Sequence, residues 1–372
     1  RSTTCKVERH GFILLLEIAN ALLRNSLSQF HLNKYPEMVL KQNDASDAGA
    51  GKALLVPPAP LQDSWGRVHR SLRISVTDVC NIRCQYCMPE TGVQFTAPDR
   101  LLSYDQIVRF VEVAAAAGIQ KVRITGGEPL TRPGLEQLIA RLAEIEGIQD
   151  IAMTTNGMLL PKQLPALVAA GLQRLNISLD TLSAETFKLI SRRDGLKQVL
   201  EGIDAACQVP SLGLKINSLV LRDLNLQDVL ELVRFARERS IVIRFIEFMP
   251  LDGGRTWSDA RMVSGAELRE LISTHVGALR PVGPRDLTQP AQEFEFENGP
   301  GRVGFIDSVS APFCSGCGKE EWDVAPWLST ETFDAQQIRK LMQDCVRAKY
   351  QAHGIGTPGF TPPERAMYQI GG

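Results

Sequence analysis

The sequence predicts an α/β fold: an incomplete (βα)6 barrel of the TIM type, followed by a C-terminal extension that carries a second group of cysteines. Three observations predict it. Six short runs of β-branched and apolar residues alternate with amphipathic helical stretches, an order that imposes parallel pairing through right-handed crossovers. Polar and glycine-rich segments directly follow these runs, where a barrel of this kind places its chemistry. A chain of 372 residues, 44% of them hydrophobic, can bury a large core, which excludes wholesale disorder.

Residues 1–65 contain no motif that connects with the rest and run into the proline-rich stretch Val56-Pro-Pro-Ala-Pro60, so they read as a leader. Their longest apolar run, residues 11–23, contains Glu17 and is too short to span a bilayer. The barrel is expected over residues 66–250, with strands at 72–76, 122–125, 151–154, 175–179, 214–220 and 241–246. Between the first two, Ser103 followed by Gln106 is a capping-box signature for a helix start. After the second, Leu135, Leu138, Ile139, Leu142 and Ile145 recur every three or four residues, the stripe of a helix packed on one face. The strands lead in turn into residues 78–87, Gly126-Gly-Glu-Pro129, Thr155-Asn-Gly157, Asp180 and, after the sixth, residues 247–250. Residues 251–372 form the C-terminal region and end in Gly371-Gly372.

Forty-one Lys and Arg against 42 Asp and Glu leave a formal charge of -1, without the basic excess of a nucleic-acid binder. An anionic ligand must therefore meet local positive charge. Of eight cysteines, Cys5, Cys207 and Cys345 stand alone, and five fall into two tight groups: Cys80, Cys84 and Cys87, then Cys314 and Cys317. That spacing reads as metal chemistry in a reducing compartment, with the cytoplasm as the default. Cys80-x3-Cys84-x2-Cys87 places three thiolates in one loop, enough for three corners of an iron-sulfur cubane with the fourth iron open. The alternative, a structural zinc, wants four protein ligands, and no fourth Cys or His lies nearby in the sequence.

With Gly126-Gly-Glu-Pro129 after the second strand, this cysteine loop resembles the radical S-adenosylmethionine (SAM) superfamily. Further stretches over residues 67–372 are similar to the MoaA family, the GTP 3',8-cyclases of molybdenum-cofactor biosynthesis: 72–78, 123–129, 154–157, 178–180, 215–217, 247–250 and the terminal 370–372. The resemblance implies a 4Fe-4S cluster on Cys80, Cys84 and Cys87 whose open iron chelates SAM. SAM contacts are implied at Tyr86, Gly127, Ser178 and Met249, and GTP contacts at Arg73, Arg123, Thr154 and Lys215. It further implies that a 5'-deoxyadenosyl radical takes hydrogen from the ribose 3' carbon, which then attacks carbon 8 of guanine. Implied partners are an electron donor such as flavodoxin or ferredoxin and a downstream cyclic pyranopterin monophosphate synthase, with no nucleic acid and no membrane; a homodimer is a further expectation.

The residues themselves agree in part, since convergent cations suit a triphosphate, Arg as a fork and Lys as a point charge. Taken singly, Arg73 and Arg123 read more often as surface ion pairs of little energetic value, whereas Lys215 inside an apolar strand must be paired or ligated. Phe313-Cys-Ser-Gly-Cys317 looks like the start of the family's second 4Fe-4S site, but Cys317 runs through Gly318 into Lys319-Glu-Glu-Trp-Asp323 without the family's Arg-x-Arg element and third cysteine. An internal deletion is the economical reading. Cys345 lies in a helical pattern with Ile338, Leu341, Met342 and Val346 and reads as a buried thiol or, less simply, as the replacement ligand. Two rival readings stay open: a radical SAM peptide modifier, which needs a further cysteine-rich domain, and a cyclase-derived iron-sulfur protein that binds SAM but is impaired or inactive for want of the missing loop.

Overall fold

Side chains of a strand alternate between its two faces, so the composition of alternate positions determines what each face can pack against. The computed structural model describes residues 60–251, 256–286, 288–313, 319–320, 334–349, 355 and 367–369. Six parallel strands run in sequence order: β1 (Ser71–Ser75), β2 (Lys121–Thr125), β3 (Asp150–Thr155), β4 (Arg174–Ser178), β5 (Gly213–Leu219) and β6 (Val242–Ile246). Sequential order with crossovers of one hand puts every connecting helix on the same face and curls the sheet into a partial barrel.

The helix-facing positions are apolar: Val122, Ile124, Ile151, Met153, Leu175, Ile177, Ile216, Ile243 and Phe245 belong to one continuous core. Against them lie α1 (Tyr104–Ala116), α2 (Leu135–Ala143), α3 (Leu160–Ala169), α4 (Ala184–Ser191), α5 (Leu196–Cys207) and α6 (Val229–Glu238). Helix α1 starts at the expected capping box, with the Ser103 hydroxyl accepting from Gln106 N and the Gln106 side chain accepting from Ser103 N. Helix α2 buries Leu135, Leu138, Ile139 and Leu142 on the expected stripe.

Beyond β6 the chain stays in the same sheet. Helix α7 (Gly265–His275) leads to β7 (Leu279–Pro281), β8 (Gln292–Phe296) and β9 (Arg302–Ile306). Strand β9 pairs parallel with β6, and β8 and β7 follow antiparallel. The short β10 (Lys319–Glu320) flanks β1, so the C-terminal region extends both ends of one ten-stranded sheet. Helix α8 (Ala335–Arg347) packs on α1 through Ile338, Met342 and Val346, and Cys345 on it is half-buried. Before the expected barrel start, Leu61 already sits in the core and Asp63 is buried, accepting from the backbone N of Trp65 and Arg67 at 2.9 Å. Among the described residues no helix is long and apolar enough to cross a membrane.

Leu138 is completely buried, whereas Leu189 is 56% exposed. Leu138→Ala is expected to cost about 2–5 kcal/mol and to lower the thermal midpoint by several degrees, while Leu189→Ala stays within about 0.5 kcal/mol. Differential scanning calorimetry of the two variants separates them.

Candidate active site at the carboxyl ends of the strands

The loop that follows β1 is held from three sides. On the inside, Val76 N donates to Thr125 O (2.9 Å), Gly127 N to Thr77 O (2.6 Å) and Glu128 N to Val79 O (2.8 Å). A Cβ on Gly126 would lie 2.5 Å from Thr77 O, and one on Gly127 would lie 2.5 Å from both Asp78 O and Val79 O. These are backbone atoms that cannot step aside, so the glycine pair is required by close approach. On the outside, Arg83 N donates to Ser191 O (2.8 Å) and Gln85 N to Ile190 O (3.0 Å). Arg192, in the left-handed conformation at φ 56°, adds its guanidinium to Arg83 O (3.2 Å) and Met88 O (3.0 Å). From the C-terminal side, Tyr368 packs with Met88, Cys80, Cys87 and Phe95, its ring edge-on to Phe95 with centroids 6.5 Å apart, and Met367 N donates to Leu251 O (3.0 Å).

Within this clasp Cys87 N and Met88 N both donate to Cys84 O at 2.9 Å, a tight turn that brings Cys84 and Cys87 onto one side. None of Cys80, Cys84 and Cys87 is in a disulfide. Burial pushes the Cys80 thiol up to about 11 and raises Cys84 and Cys87 as well. Thiolates there need a metal cation as counter-charge. Asn156 Nδ2, 3.8 Å from Cys80 Sγ and 2.6 Å from Asn81 Oδ1, supplies a hydrogen bond to sulfur. This donor set fits three corners of a 4Fe-4S cluster. Among the described residues no three His, Cys, Asp or Glu side chains gather closely enough to hold one metal ion, and a cubane does not require it, because each thiolate takes its own iron.

Two buried carboxylates tie the neighbouring strand ends together. Glu128 accepts from Leu130 N (3.0 Å), Thr155 Oγ1 (2.7 Å) and Asn156 N (2.7 Å), and burial pushes it up to about 7. Asp180 accepts from Tyr86 Oη (2.6 Å) and Leu219 N (2.8 Å), and burial pushes it up to about 6. Of the residues expected at SAM, Tyr86 and Ser178 line one small cavity with Cys84, Asn156 and Asp180. Gly127 lies in the glycine pair beside the cysteine loop. Met249 follows β6, half-buried, its carbonyl accepting from Leu251 N at 2.8 Å.

The inner face of the barrel carries the expected GTP residues. Arg73 and Arg123 are register partners on β1 and β2, and Arg123 Nη1 donates to Thr154 Oγ1 at 3.3 Å on β3. Thr154, Asn176 and Lys215 align across β3, β4 and β5. Burial and the neighbouring Arg73, Arg174 and Arg244 lower Arg123 to about 9. Lys215 is lowered by burial and by Arg244. Lys215 is paired, as a lysine in an apolar strand must be: Glu293 of β8 bridges it (2.7 Å) and Arg244 of β6 (2.6 Å). Sequence reasoning missed Arg244, although it is a cation at an inward position of a β-branched run, the same signal that exposed Lys215. It also missed Tyr368 and Glu293, which no local pattern marks.

Cys314 and Cys317 lie outside the described residues, as does the Gly371-Gly372 tail. The segment leading to the first of them is anchored: Glu247 at the end of β6 accepts from Val309 N and Ser310 N (both 2.8 Å) and from Gly265 N (3.1 Å).

A model of the Radical SAM superfamily matches residues 74–236, and one of the Molybdenum Cofactor Synthesis C family matches residues 241–320. A Rhodopirellula baltica protein named GTP 3',8-cyclase is 41% identical over 86% of this chain and 94% of its own length. Its namesake from Streptomyces coelicolor is 39% identical over 84% and 96%, and the mitochondrial GTP 3',8-cyclase of Arabidopsis thaliana is 39% identical over 84% and 83%. Among solved structures, Streptococcus suis SuiB bound to precursor peptide SuiA aligns at 18% identity over 59% of this chain and 46% of its own, with a TM-score of 0.47.

Gly127→Ala is expected to displace the backbone of Asp78 and Val79 and to reduce iron uptake on anaerobic reconstitution, measured as iron per chain. For Glu128, the unfolded chain releases its proton near 4.5 while the folded protein keeps it to about 7. Across that window the folded state binds more protons than the unfolded one, so stability falls as pH rises and levels off above it. Asp180 acts in the same direction up to about 6. Thermal midpoints measured from pH 5 to 8 should therefore decline, and the decline should be shallower in Glu128→Gln.

Proposed function

We infer that this chain, which belongs to the GTP 3',8-cyclase family of the radical SAM superfamily, is a lyase that converts GTP to (8S)-3',8-cyclo-7,8-dihydroguanosine 5'-triphosphate in the first step of molybdenum-cofactor biosynthesis. The observation that carries this reading is the position of a three-cysteine loop at the mouth of a barrel whose inner face bears Arg73, Arg123, Lys215 and Arg244. Its cofactors are a 4Fe-4S cluster and SAM.

The cluster, when bound, supplies the electron that cleaves SAM. On this reading Cys80, Cys84 and Cys87 hold three irons, and the Asn156 amide steadies the Cys80 sulfur. Tyr86, Gly127, Ser178 and Met249 contact SAM; Gly127 does so through its backbone, and the Asp180 carboxylate fixes the Tyr86 phenol. Arg73, Arg123, Thr154 and Lys215 hold GTP, with the triphosphate relieving the mutual repulsion of the cations. The barrel spans residues 66–250, and residues 251–372 contribute the auxiliary-cluster and substrate-binding region, in which Cys314 and Cys317 take part in a second cluster. A flavodoxin- or ferredoxin-type donor reduces the enzyme, cyclic pyranopterin monophosphate synthase receives the product, and two chains associate as a homodimer. The oxygen lability of such a cluster supports a cytoplasmic location.

The abrupt passage from Cys317 to Lys319-Glu-Glu favours one second reading, a cyclase-derived protein that binds SAM but is impaired at its guanine end. Anaerobic reconstitution followed by iron, sulfide and deoxyadenosine measurements, with and without GTP, decides between them. The cyclase reading expects GTP-dependent deoxyadenosine and about eight irons per chain, or about four if the second site is empty. Deoxyadenosine formation indifferent to GTP favours the second reading, and its persistence in Cys80→Ala refutes both.

A further inference from the structure

The cations on the inner face already have an anion among them. Glu293 comes from β8, outside the six parallel strands, and its Oε1 lies 2.7 Å from Lys215 Nζ and 2.6 Å from Arg244 Nη2. Asp150 does not compete for this pair, because its carboxylate is engaged with Arg174 Nε at 2.7 Å. The backbone makes a passage for the contact. Arg244 on β6 and Glu293 on β8 are both register partners of Gly304 on β9, the strand between them. A Cβ on Gly304 would lie 3.0 Å from Arg244 Cγ and 3.5 Å from Glu293 Cγ, so the two side chains meet across the space that this glycine leaves open. The side chains of Lys215, Glu293 and Arg244 are 28%, 21% and 14% exposed, so the pair is reachable by a solute in the barrel.

A phosphoryl oxygen and a carboxylate oxygen make the same charge-assisted hydrogen bonds to ammonium and guanidinium groups. We propose that Glu293 is a resident anion of the substrate site, bridging Lys215 and Arg244 until the triphosphate of the nucleotide displaces it, and thereby lowering the affinity of the site for polyphosphate. The proposal rests on the cyclase reading in one respect, that a triphosphate binds this inner face. It makes Glu293 a residue that sets how strongly the substrate is held: the carboxylate keeps two like charges together in the empty site and must be moved aside when the site fills.

The test is titration calorimetry of the full chain with GTP and, separately, with inorganic triphosphate. Removing the competing charge in Glu293→Gln should tighten both ligands by about tenfold, the scale of a charged hydrogen bond. Glu293→Asp, one methylene too short to span both cations, should tighten them by less. Equal or weaker binding by both variants, in protein whose wild-type form binds triphosphate, overturns the proposal and makes Glu293 a structural counter-ion. Failure of the wild-type chain to bind either ligand removes the cyclase reading itself, and this proposal with it.

Discussion

Every second residue of the parallel strands points away from the helices, and among the described residues no second sheet or helix covers that face. Strands buried on both faces are apolar throughout; these are not. Arg73, Arg123, Thr154, Asn176, Lys215 and Arg244 occupy the inner positions, while Val122, Ile124, Met153 and Ile216 occupy the outer ones. Charged side chains on that face cannot be desolvated as apolar ones can, so the barrel does not collapse onto a dry centre. Stability is thus left to the outer layer, and the interior is left for a charged guest.

The strand ends face a related difficulty, since loops that dip into a mouth carry backbone amides that water reaches poorly. The same solution recurs around the barrel. Glu128 after β2 takes the Asn156 amide of the loop after β3, Asp180 after β4 takes the amide of Leu219 at the end of β5, and Glu247 after β6 takes two amides of the loop after β9. Each carboxylate closes the gap between two adjacent strands. Asp180 also fixes Tyr86, so the cysteine loop is tied to the far half of the barrel as well as to the glycine pair.

The six parallel strands were legible because their signal is local: each is a short β-branched run, and the structure places all six within two residues of the expected bounds. The capping box at Ser103 and the stripe from Leu135 to Leu142 were legible for the same reason. Strands β7 to β9 were not, because Gln292–Phe296 mixes charged and aromatic residues and β7 ends in a proline. They exist because β9 pairs onto β6 and β8 and β7 follow it, a long-range fact. The cysteine loop and the glycine pair were visible as motifs, but the reason for the glycines, carbonyl oxygens 2.5 Å from where a side chain would start, required coordinates. The partners of Lys215 and Tyr86, namely Glu293 and Asp180, lie far along the chain and leave no mark in the composition around either residue.

The two family models divide the chain between residues 236 and 241, yet the β5–β6 ladder runs without interruption across that division. Modules joined by a linker can be shuffled by recombination, each keeping its own edges. Here an exchanged C-terminal half would have to match the register of β5 and present a carboxylate to Lys215. The two halves therefore fit as a matched pair, and a substitution on one side of the division acts on the packing and charge of the other.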